Sequence, residues 1–400
     1  MSADVIAGPW ARLAAMMGTR ARVSEAKASR TGPLVALTLS GRPVWTPRDY
    51  AALAQEGFAR NAIAYRCVRM IAEAAASVPW LLYEGERELT QHPLLTLLAE
   101  PNPQESGADM LESWYGFLMV AGNAYLESVE TDGQPRELYA LRPDRMKVVP
   151  GVNGWPEGYE YSVNGRTVLI PCDAALGRQP LLHMRLFHPS DDHYGMSPLE
   201  AAAYAIDIHN AAGSWNKALL DNAARPSGAL VYKGGEAGMN LTEDQFDRLK
   251  RELADNYQGA GNAGRPLLLE GGLEWTSMGM TARDMDFVEA KRAAARDIAL
   301  AFGVPPMLLG IPGDNTYANY AEANRTFWRQ TVLPLVGRTS RALTRWLARR
   351  YGADFRLWHD ADAIEALSPE REALWSRVSK ADFLSDDEKR AAVGYGKAEG

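Results

Sequence analysis

Hydrophobic residues recur three or four positions apart across residues 61–77, which predicts an amphipathic helix that Pro79 ends. A short apolar strand is predicted next, at Trp80–Tyr83, and a second helix over about 108–120. Residues 1–50 show neither a helical nor a strand period. We therefore expect them to form an N-terminal arm.

Two dipeptides, Asp132-Gly133 and Asn164-Gly165, are the strongest hairpin signals in the chain, because both favour the tight turns that join antiparallel strands. An apolar strand is also expected at Leu181–Phe187. The first half of the chain, to about residue 196, is therefore predicted to be an α+β unit. Its hairpin strands are predicted at Ala124–Val129, Leu138–Leu141, Tyr159–Val163 and Thr167–Ile170.

The second half changes to long helical patterns. Ser197-Pro198-Leu199-Glu200 is a capping box, and no helix breaker follows until Pro226. The predicted elements are a helix over 197–224, a helix from a second capping box at Thr242–Gln245, a strand at Pro266–Leu269, a helix over 282–302, a loop over 307–319, a helix over 320–351 that kinks at Pro334, and a C-terminal region, 352–400, with a short strand and two helices.

The helices over 197–224 and 282–302 are rich in alanine, and the first carries only four charged residues. A long helix with so little polar surface must pack on several sides. Small residues let such helices approach closely, within one chain or between neighbouring chains.

The bulk composition excludes some classes of protein. The chain has 400 residues, 46% of them hydrophobic, and a formal net charge of −7, whereas a protein that coats nucleic acid is expected to be basic. Cys67 and Cys172 form no disulfide framework, which favours a reducing compartment. We find no secretory signal and no membrane-spanning run, and therefore expect a soluble protein.

Candidate catalytic motifs are weak. Gly259–Gly264 matches GxGxxG, but a predicted helix precedes it and a strand follows, the reverse of a dinucleotide site, so we interpret it as a turn. No P-loop, GxSxG or HExxH is present, and we expect no enzyme and no cofactor. His183, His188 and His193 form the densest set of possible metal ligands. A metal-dependent enzyme and a monomeric α+β binding module remain the alternative readings.

The predicted helix over 320–351 carries seven arginines and one acidic residue, Glu322. Helical spacing places four of these arginines on one face: Arg338, Arg341, Arg345 and Arg349. This face is suited to contact DNA phosphates, or to pair with acids of a neighbouring subunit. Both interpretations stay open.

Several short motifs occur in one collinear order across about residues 60–345. They are Tyr65–Arg69, His92–Leu94, Gly122–Tyr125, Gly195–Leu199, Ala224–Gly228 and Ile298–Gly310. In this order and spacing the chain resembles the portal proteins of lambdoid-type siphophages, including those of prophages and of the gene transfer agents of alphaproteobacteria.

This resemblance implies a ring-forming portal fold with an α+β wing, a two-helix stem, a small α/β clip and a helical crown. Its expected parts are an N-terminal arm at 1–50, the wing at 51–196, stem helices at 197–224 and 281–306, the clip at 225–280, a tunnel loop at 307–319, a long wing and crown helix at 320–351, and the C-terminal crown at 352–400.

The resemblance also implies a function. Twelve copies would form a ring at the capsid vertex of a virion, after assembly in the host bacterial cytoplasm, and double-stranded DNA would be packaged and ejected through it. The expected partners are the terminase large subunit, the head–tail adaptor protein and the major capsid protein.

Two sets of residues are expected to serve this channel. Ala212 and Ala294 would pack stem helices of neighbouring subunits together. A ring of chains that each carry −7 repels phosphate on average. Contact with DNA, independent of its sequence, would then come from polar residues of the tunnel loop: Asp314, Asn315, Thr316, Tyr317 and Asn319.

Overall fold

The computed structural model describes residues 45–172, 179, 181–221, 228–232, 242, 244–245, 247–251, 273–277, 287–311, 317–351 and 355–395. The GxGxxG segment, the strand expected at Pro266–Leu269 and residues 1–44 lie outside these ranges.

We label ten helices of the described residues in chain order. These are α1 Ala62–Ala76, α2 Pro93–Ala99, α3 Gly107–Ala121, α4 Pro198–Ala201, α5 Ala203–Asp221, α6 Phe287–Phe302, α7 Tyr317–Phe327, α8 Leu333–Tyr351, α9 Ser368–Ser379 and α10 Asp386–Ala392. A helical turn at Tyr50–Ala52 and a π-helix at Leu53–Ala59 precede α1.

The predicted first helix is confirmed as α1, and one side chain explains where it begins. The amide oxygen of Asn61 accepts hydrogen bonds from the backbone N–H groups of Ile63, at 3.1 Å, and Ala64, at 3.0 Å, which would otherwise lack partners at the helix start. The buried face of α1, which includes Cys67 and Ile71, packs against α3.

The second predicted helix is confirmed as α3. Ser106 and Asp109 form a capping box at its start. It ends at Gly122, whose φ of +71° lies in the left-handed region that glycine adopts without strain.

Eleven strands are described, and they form four small antiparallel sheets with the orders β11-β1-β2, β4-β3-β8, β5-β6-β7 and β9-β10. The strands are β1 Trp80–Glu84, β2 Arg87–Leu89, β3 Asn123–Thr131, β4 Gln134–Leu141, β5 Met146–Pro150, β6 Pro156–Val163, β7 Arg166–Pro171, β8 Leu181–Arg185, β9 Gly228–Tyr232, β10 Leu273–Ser277 and β11 Phe355–His359.

Both predicted hairpins are confirmed. Asp132-Gly133 joins β3 to β4, and Asn164-Gly165 joins β6 to β7. All four turn residues have positive φ angles, between 50° and 77°, as two-residue hairpin turns of this kind require.

Most of the buried apolar side chains belong to one core that runs from Leu53 to Leu367 and includes residues of α1, α3, α6, α8 and β11. A second, smaller core lies where β3 and β8 meet the β5-β6-β7 sheet and includes Tyr125, Met146 and Tyr159. Helices from the second half of the chain therefore complete the core of the first half.

Several predicted boundaries were wrong. The helix expected over 197–224 is interrupted by a turn at Ala202, between α4 and α5, and its last residues, 222–224, lie outside the described ranges. The strand expected at Leu181–Phe187 ends at Arg185, since Phe187 is 80% exposed and pairs with no strand.

The long helix expected over 320–351 begins earlier, at Tyr317, and its irregularity lies just before the predicted kink. A π-helical turn, Trp328–Val332, separates α7 from α8. Pro334 follows directly, as the second residue of α8, and because it has no N–H group it cannot donate to the helical turn before it.

Candidate channel and ring-contact surfaces

The predicted tunnel loop joins α6 to α7, and the structure shortens it at both ends. Residues 306–309 form a 3₁₀ turn, and α7 already begins at Tyr317. Tyr317 and Asn319, which were expected in the loop, therefore lie in a helix, and the Asn319 side chain is exposed there. Asp314, Asn315 and Thr316 lie outside the described residues.

The N-terminal end of this loop is firmly held. Gly303 ends α6 with a φ of +67°, and its carbonyl oxygen accepts a hydrogen bond of 2.6 Å from the Thr331 hydroxyl. Val304 and Ile311 are buried on either side of the 3₁₀ turn. The described residues on the N-terminal side of the predicted loop are therefore held in place by the fold.

Helices α5 and α6 pack against each other within one chain. Ala212 and Ala294 are both buried there, with 4% and 3% of their surface exposed. Their predicted contact between subunits stays a prediction. A larger side chain at either position would first disturb the packing inside its own chain.

The middle of α5 is tied to the residues before α1. The Asn61 side-chain amide donates to Asn210 Oδ1 at 3.0 Å and lies 3.2 Å from His209 Nδ1. Asn210 in turn donates to the carbonyl oxygen of Glu56 at 2.9 Å. One buried asparagine therefore begins α1 and positions α5.

Both helices also expose large apolar side chains. Leu300 is 78% exposed near the end of α6, and Val288 is 57% exposed at its start. Tyr204 and Ile208 are exposed on α5. In a single chain this apolar surface faces water, which makes it a candidate contact surface for another chain.

The arginine-rich helix is only partly available to a ligand. Arg350 is 5% exposed in its side chain and forms a 2.6 Å ion pair with Glu130, and Arg329 pairs with Glu370 at 3.2 Å. Arg325 pairs with Glu322. Acids distant in sequence, which the local charge count did not reveal, therefore neutralise part of the excess charge within the chain.

The four arginines of the predicted face also differ from each other. Arg338 donates to the carbonyl oxygen of Arg185, and burial, together with the charge of Arg341, lowers the pKa of its guanidinium. Arg341 and Arg345 are exposed. The side chain of Arg349 lies outside the described ones.

Two of the three histidines of the alternative metal site, His183 and His188, have other partners. His183 stacks on Tyr125, with ring centroids 4.3 Å apart, and its Nε2 lies 3.0 Å from Asn123 Oδ1. Burial, with smaller effects of Arg185 and His193, lowers the pKa of His183 to about 3. The Nδ1 atom of His188 accepts from the backbone N–H of Ser190.

Other candidate chemistry is equally sparse in the part of the chain that the structure describes. No group of three or more His, Cys, Asp or Glu side chains there is placed to hold a metal ion. Burial raises the pKa of the Cys67 thiol to about 12, which disfavours the reactive thiolate. Among the described helices, none combines the length and apolar content that crossing a bilayer requires.

Comparison with known proteins identifies the family. A family model described as phage portal protein matches residues 62–394. The chain belongs to the phage portal family. As a portal protein it is a structural component of the connector between head and tail of a particle.

Solved structures agree with this assignment. The portal chain superposes with a TM-score of 0.70 on a chain from the neck of an empty gene transfer agent particle computed with C6 symmetry, which is 53% identical; the match covers 90% of this chain and 96% of that one. A chain from the native neck, computed with C12 symmetry, is 52% identical with a TM-score of 0.67, at the same coverage.

A relative from a phage is more distant. The protein of Streptomyces phage phiC31, described as a probable portal protein, is 26% identical over 392 residues, 94% of this chain and 82% of the relative. The predicted resemblance and the predicted mixed fold are therefore confirmed.

Sequence reasoning missed one feature of the portal chain that precedes the family match. Residues 45–49 lie against α5, where Thr46 bonds to Asp207 and Trp45 and Arg48 contact Tyr204. The segment is irregular, so no hydrophobic period marked it. The only available signal was an isolated tryptophan beside two prolines.

Proposed function

We propose that copies of this chain form a ring of twelve at one capsid vertex, through which double-stranded DNA is packaged and later ejected. The observation that carries this proposal is the close likeness, over 90% of the chain, to the neck protein solved with C6 and C12 symmetry. The exposed apolar side chains of α5 and α6 support it, since a ring would cover such surfaces.

In this proposal α5 and α6 form the stem around the channel, and residues 225–280 form the clip. The residues 51–196 form the wing, with 320–351 beside it and the crown at 352–400. The partners are the terminase large subunit during packaging, the head–tail adaptor afterwards, and the major capsid protein around the ring. Assembly takes place in the host bacterial cytoplasm.

The net acidic charge supports passage rather than retention of DNA. Duplex DNA carries about one negative charge per 1.7 Å, so a strongly basic channel would hold it at every step. The exposed surface of α6 instead mixes charges of both signs, and Glu289 and Arg292 pair there at 2.6 Å. The basic candidates for contact with DNA or with a neighbouring subunit are Arg338, Arg341, Arg345 and Arg349, of which the first three are exposed.

The loop between α6 and α7 is proposed to narrow the channel and to retain DNA. The experiment deletes Asp314, Asn315 and Thr316, which leaves every residue of α7 in place. A second variant replaces the same three residues by glycine and so keeps the loop length. We expect both variants to form particles, and we expect the deletion to reduce the length or retention of packaged DNA more than the glycine replacement does.

The readouts are the length of DNA extracted from nuclease-treated particles and an image of the isolated ring. Rings of normal appearance with poorly retained DNA would support a role of the loop in the channel. Full-length, fully retained DNA in the deletion variant would contradict it.

A further inference from the structure

The exposed side of α8 carries positive charge that the chain itself does not neutralise. Arg338, Arg341 and Arg345 are exposed and follow each other at helical spacing. Within the described residues, none of the three forms an ion pair with a carboxylate. Burial, and then the charge of Arg341, lower the pKa of Arg338, because like charges face each other here without a counterion. We call these three residues the basic face.

An exposed aromatic ring lies close to the basic face. The Arg338 guanidinium donates to the carbonyl oxygen of Arg185, the last residue of β8, and Phe187 follows two residues later. Phe187 is 80% exposed, more than any other described aromatic side chain except Phe383. Arginine and aromatic side chains together are typical of a surface that another protein covers.

The turn that leads from α9 into α10 has the complementary composition. Residues 382–387 contain three acidic residues, Asp382, Asp386 and Asp387, and no basic one, and all three are exposed. Phe383, which is 87% exposed, lies beside Asp382. We call residues 382–387 the acidic turn. It has the same arrangement as the basic face, an exposed phenylalanine among like charges, with the opposite sign.

The two surfaces belong to different sides of the β11-β1-β2 sheet. Helix α8 packs against β11, on the face of the sheet that carries Leu357 and His359. Tyr83 and Arg356, which are paired in the register, belong to the other face, since successive side chains of a strand alternate. The Tyr83 hydroxyl donates to the carbonyl oxygen of Gly394, just after α10, at 3.2 Å. The helix that follows the acidic turn therefore reaches the side of the sheet opposite to α8.

We propose that the basic face of each subunit binds the acidic turn of the next subunit, with Phe187 and Phe383 in contact between the charges. The proposal rests on the ring assembly proposed above and names one pair of surfaces within it. A ring that closes head to tail needs two different, complementary surfaces on every subunit, and these two match in charge and in apolar content. The proposal assigns the basic face to a neighbouring subunit rather than to DNA.

The experiment reverses the charges of the two surfaces in the full chain. The first variant carries Arg341→Glu with Arg345→Glu, and the second carries Asp382→Lys with Asp386→Lys. In either variant alone, like charges meet at every contact, and we expect the yield of rings on a sizing column to fall at least about tenfold.

An equal mixture of the two variants gives the decisive result. When the variants alternate around a ring of even number, opposite charges meet again at every contact. We therefore expect the mixture to form rings at a yield within about twofold of the wild type. Neither misfolding of a variant nor a role in DNA binding predicts such a rescue.

The matched control carries Arg60→Glu with Arg136→Glu, which change the net charge equally at exposed positions outside both surfaces. We expect normal rings from this control. Rings at wild-type yield from either charge-reversed variant alone, or a mixture that assembles no better than its components, would overturn the proposal. Poor retention of DNA by such rings would assign the arginines to DNA instead.

An affinity tag on the first variant tests the contact without requiring a ring. We expect the tagged chain to capture the second variant at least about tenfold better than it captures its own untagged form. Equal capture of both would overturn the contact. An image of the wild-type chain tests the proposed ring separately, so that a failure of the contact and a failure of the ring are distinguished.

Discussion

At the scale of single residues, a close backbone approach joins two motifs that carried the family resemblance. Gly122 and Gly195 face each other so closely that a Cβ atom on either would collide with the carbonyl oxygen of the other. Asn123 accepts from the backbone N–H of Gly195 at 2.8 Å and donates to Ala121 O. These glycines therefore allow the segment before α4 to lie against the end of α3.

This contact gives the first prediction. Gly122→Ala should destabilise the isolated subunit by about 3 kcal/mol or more, because it adds a steric collision to the strain of a positive φ. The measurement is urea unfolding followed by circular dichroism. Gly85→Ala is the matched control, since Gly85 also has a positive φ, of +61°, but nothing lies within 4 Å of its Cβ position. For the control we expect the free energy of unfolding to fall by about 1–2 kcal/mol. A fall no larger than this for Gly122→Ala would contradict the argument that the added methyl group collides with Gly195.

His183 gives a second prediction, on pH. Its pKa is lowered to about 3 by burial, with Arg185 and His193 adding to the effect, so between about pH 6.5 and pH 3 the unfolded chain binds a proton here that the folded chain does not. The stability that His183 contributes is therefore complete above about pH 6.5 and is lost as the pH falls through this range, at up to about 1.4 kcal/mol per pH unit.

The measurement is the unfolding free energy of the wild-type chain and of His183→Gln between pH 7 and pH 4. We expect a shallower dependence on pH for His183→Gln than for the wild-type chain. Parallel curves for wild type and His183→Gln would show that His183 does not titrate as argued.

At the scale of elements, α8 shows which electrostatic features a sequence reveals. Helical spacing groups arginines by face, but spacing is local and cannot find Glu130 on β3, which pairs with Arg350, or Glu370 on α9, which pairs with Arg329 just before α8. These partners arise from tertiary packing.

Replacing each of these two acids by glutamine should lower the free energy of unfolding by a different amount. Glu130→Gln should cost the subunit about 3 kcal/mol, because it leaves Arg350, with 5% of its side chain exposed, without a countercharge. Glu370→Gln removes the partner of the exposed Arg329 and should cost less than about 1 kcal/mol. Thermal and urea unfolding of both variants provide the test. Equal decreases in the free energy of unfolding for the two variants would mean that burial does not govern the strength of the Arg350–Glu130 and Arg329–Glu370 ion pairs.

Patterned elements were predictable, and irregular ones were not. Period and capping signals located α1, α3, both hairpins and the end of α6, because each depends on residues within a few positions. The turn at Ala202 and the π-helix before Pro334 have no comparable local signal. Residues 45–49 are held on α5 by contacts 161 positions apart, between Thr46 and Asp207, which no local pattern encodes.

At the scale of the whole molecule, α5 and α6 each have one surface that packs within the chain and another that is exposed to a possible neighbour. Part of their alanine-rich surface is buried within the chain, including Ala212 and Ala294, so low charge did not by itself indicate a contact between subunits. What remains for a neighbour is the exposed apolar surface, and Leu300 is its most exposed member on α6.

Leu300 therefore gives a prediction at this scale. Leu300→Asp should lower the yield of assembled rings at least about tenfold, because it would bury an unpaired carboxylate at every copy of the contact. Leu300→Met keeps an apolar side chain of similar volume and should assemble normally. Sizing-column profiles of the two variants, with circular dichroism to verify that each subunit is folded, decide the outcome. Normal rings from Leu300→Asp would place the contact between subunits elsewhere.

The account depends most on the assembly of copies of this chain around a common axis. The most direct measurement is an electron-microscopy image of the purified full-length chain, with its mass in solution. We predict closed rings with a central hole wide enough for duplex DNA. A homogeneous monomer at every concentration, with no ring in the image, would contradict the account.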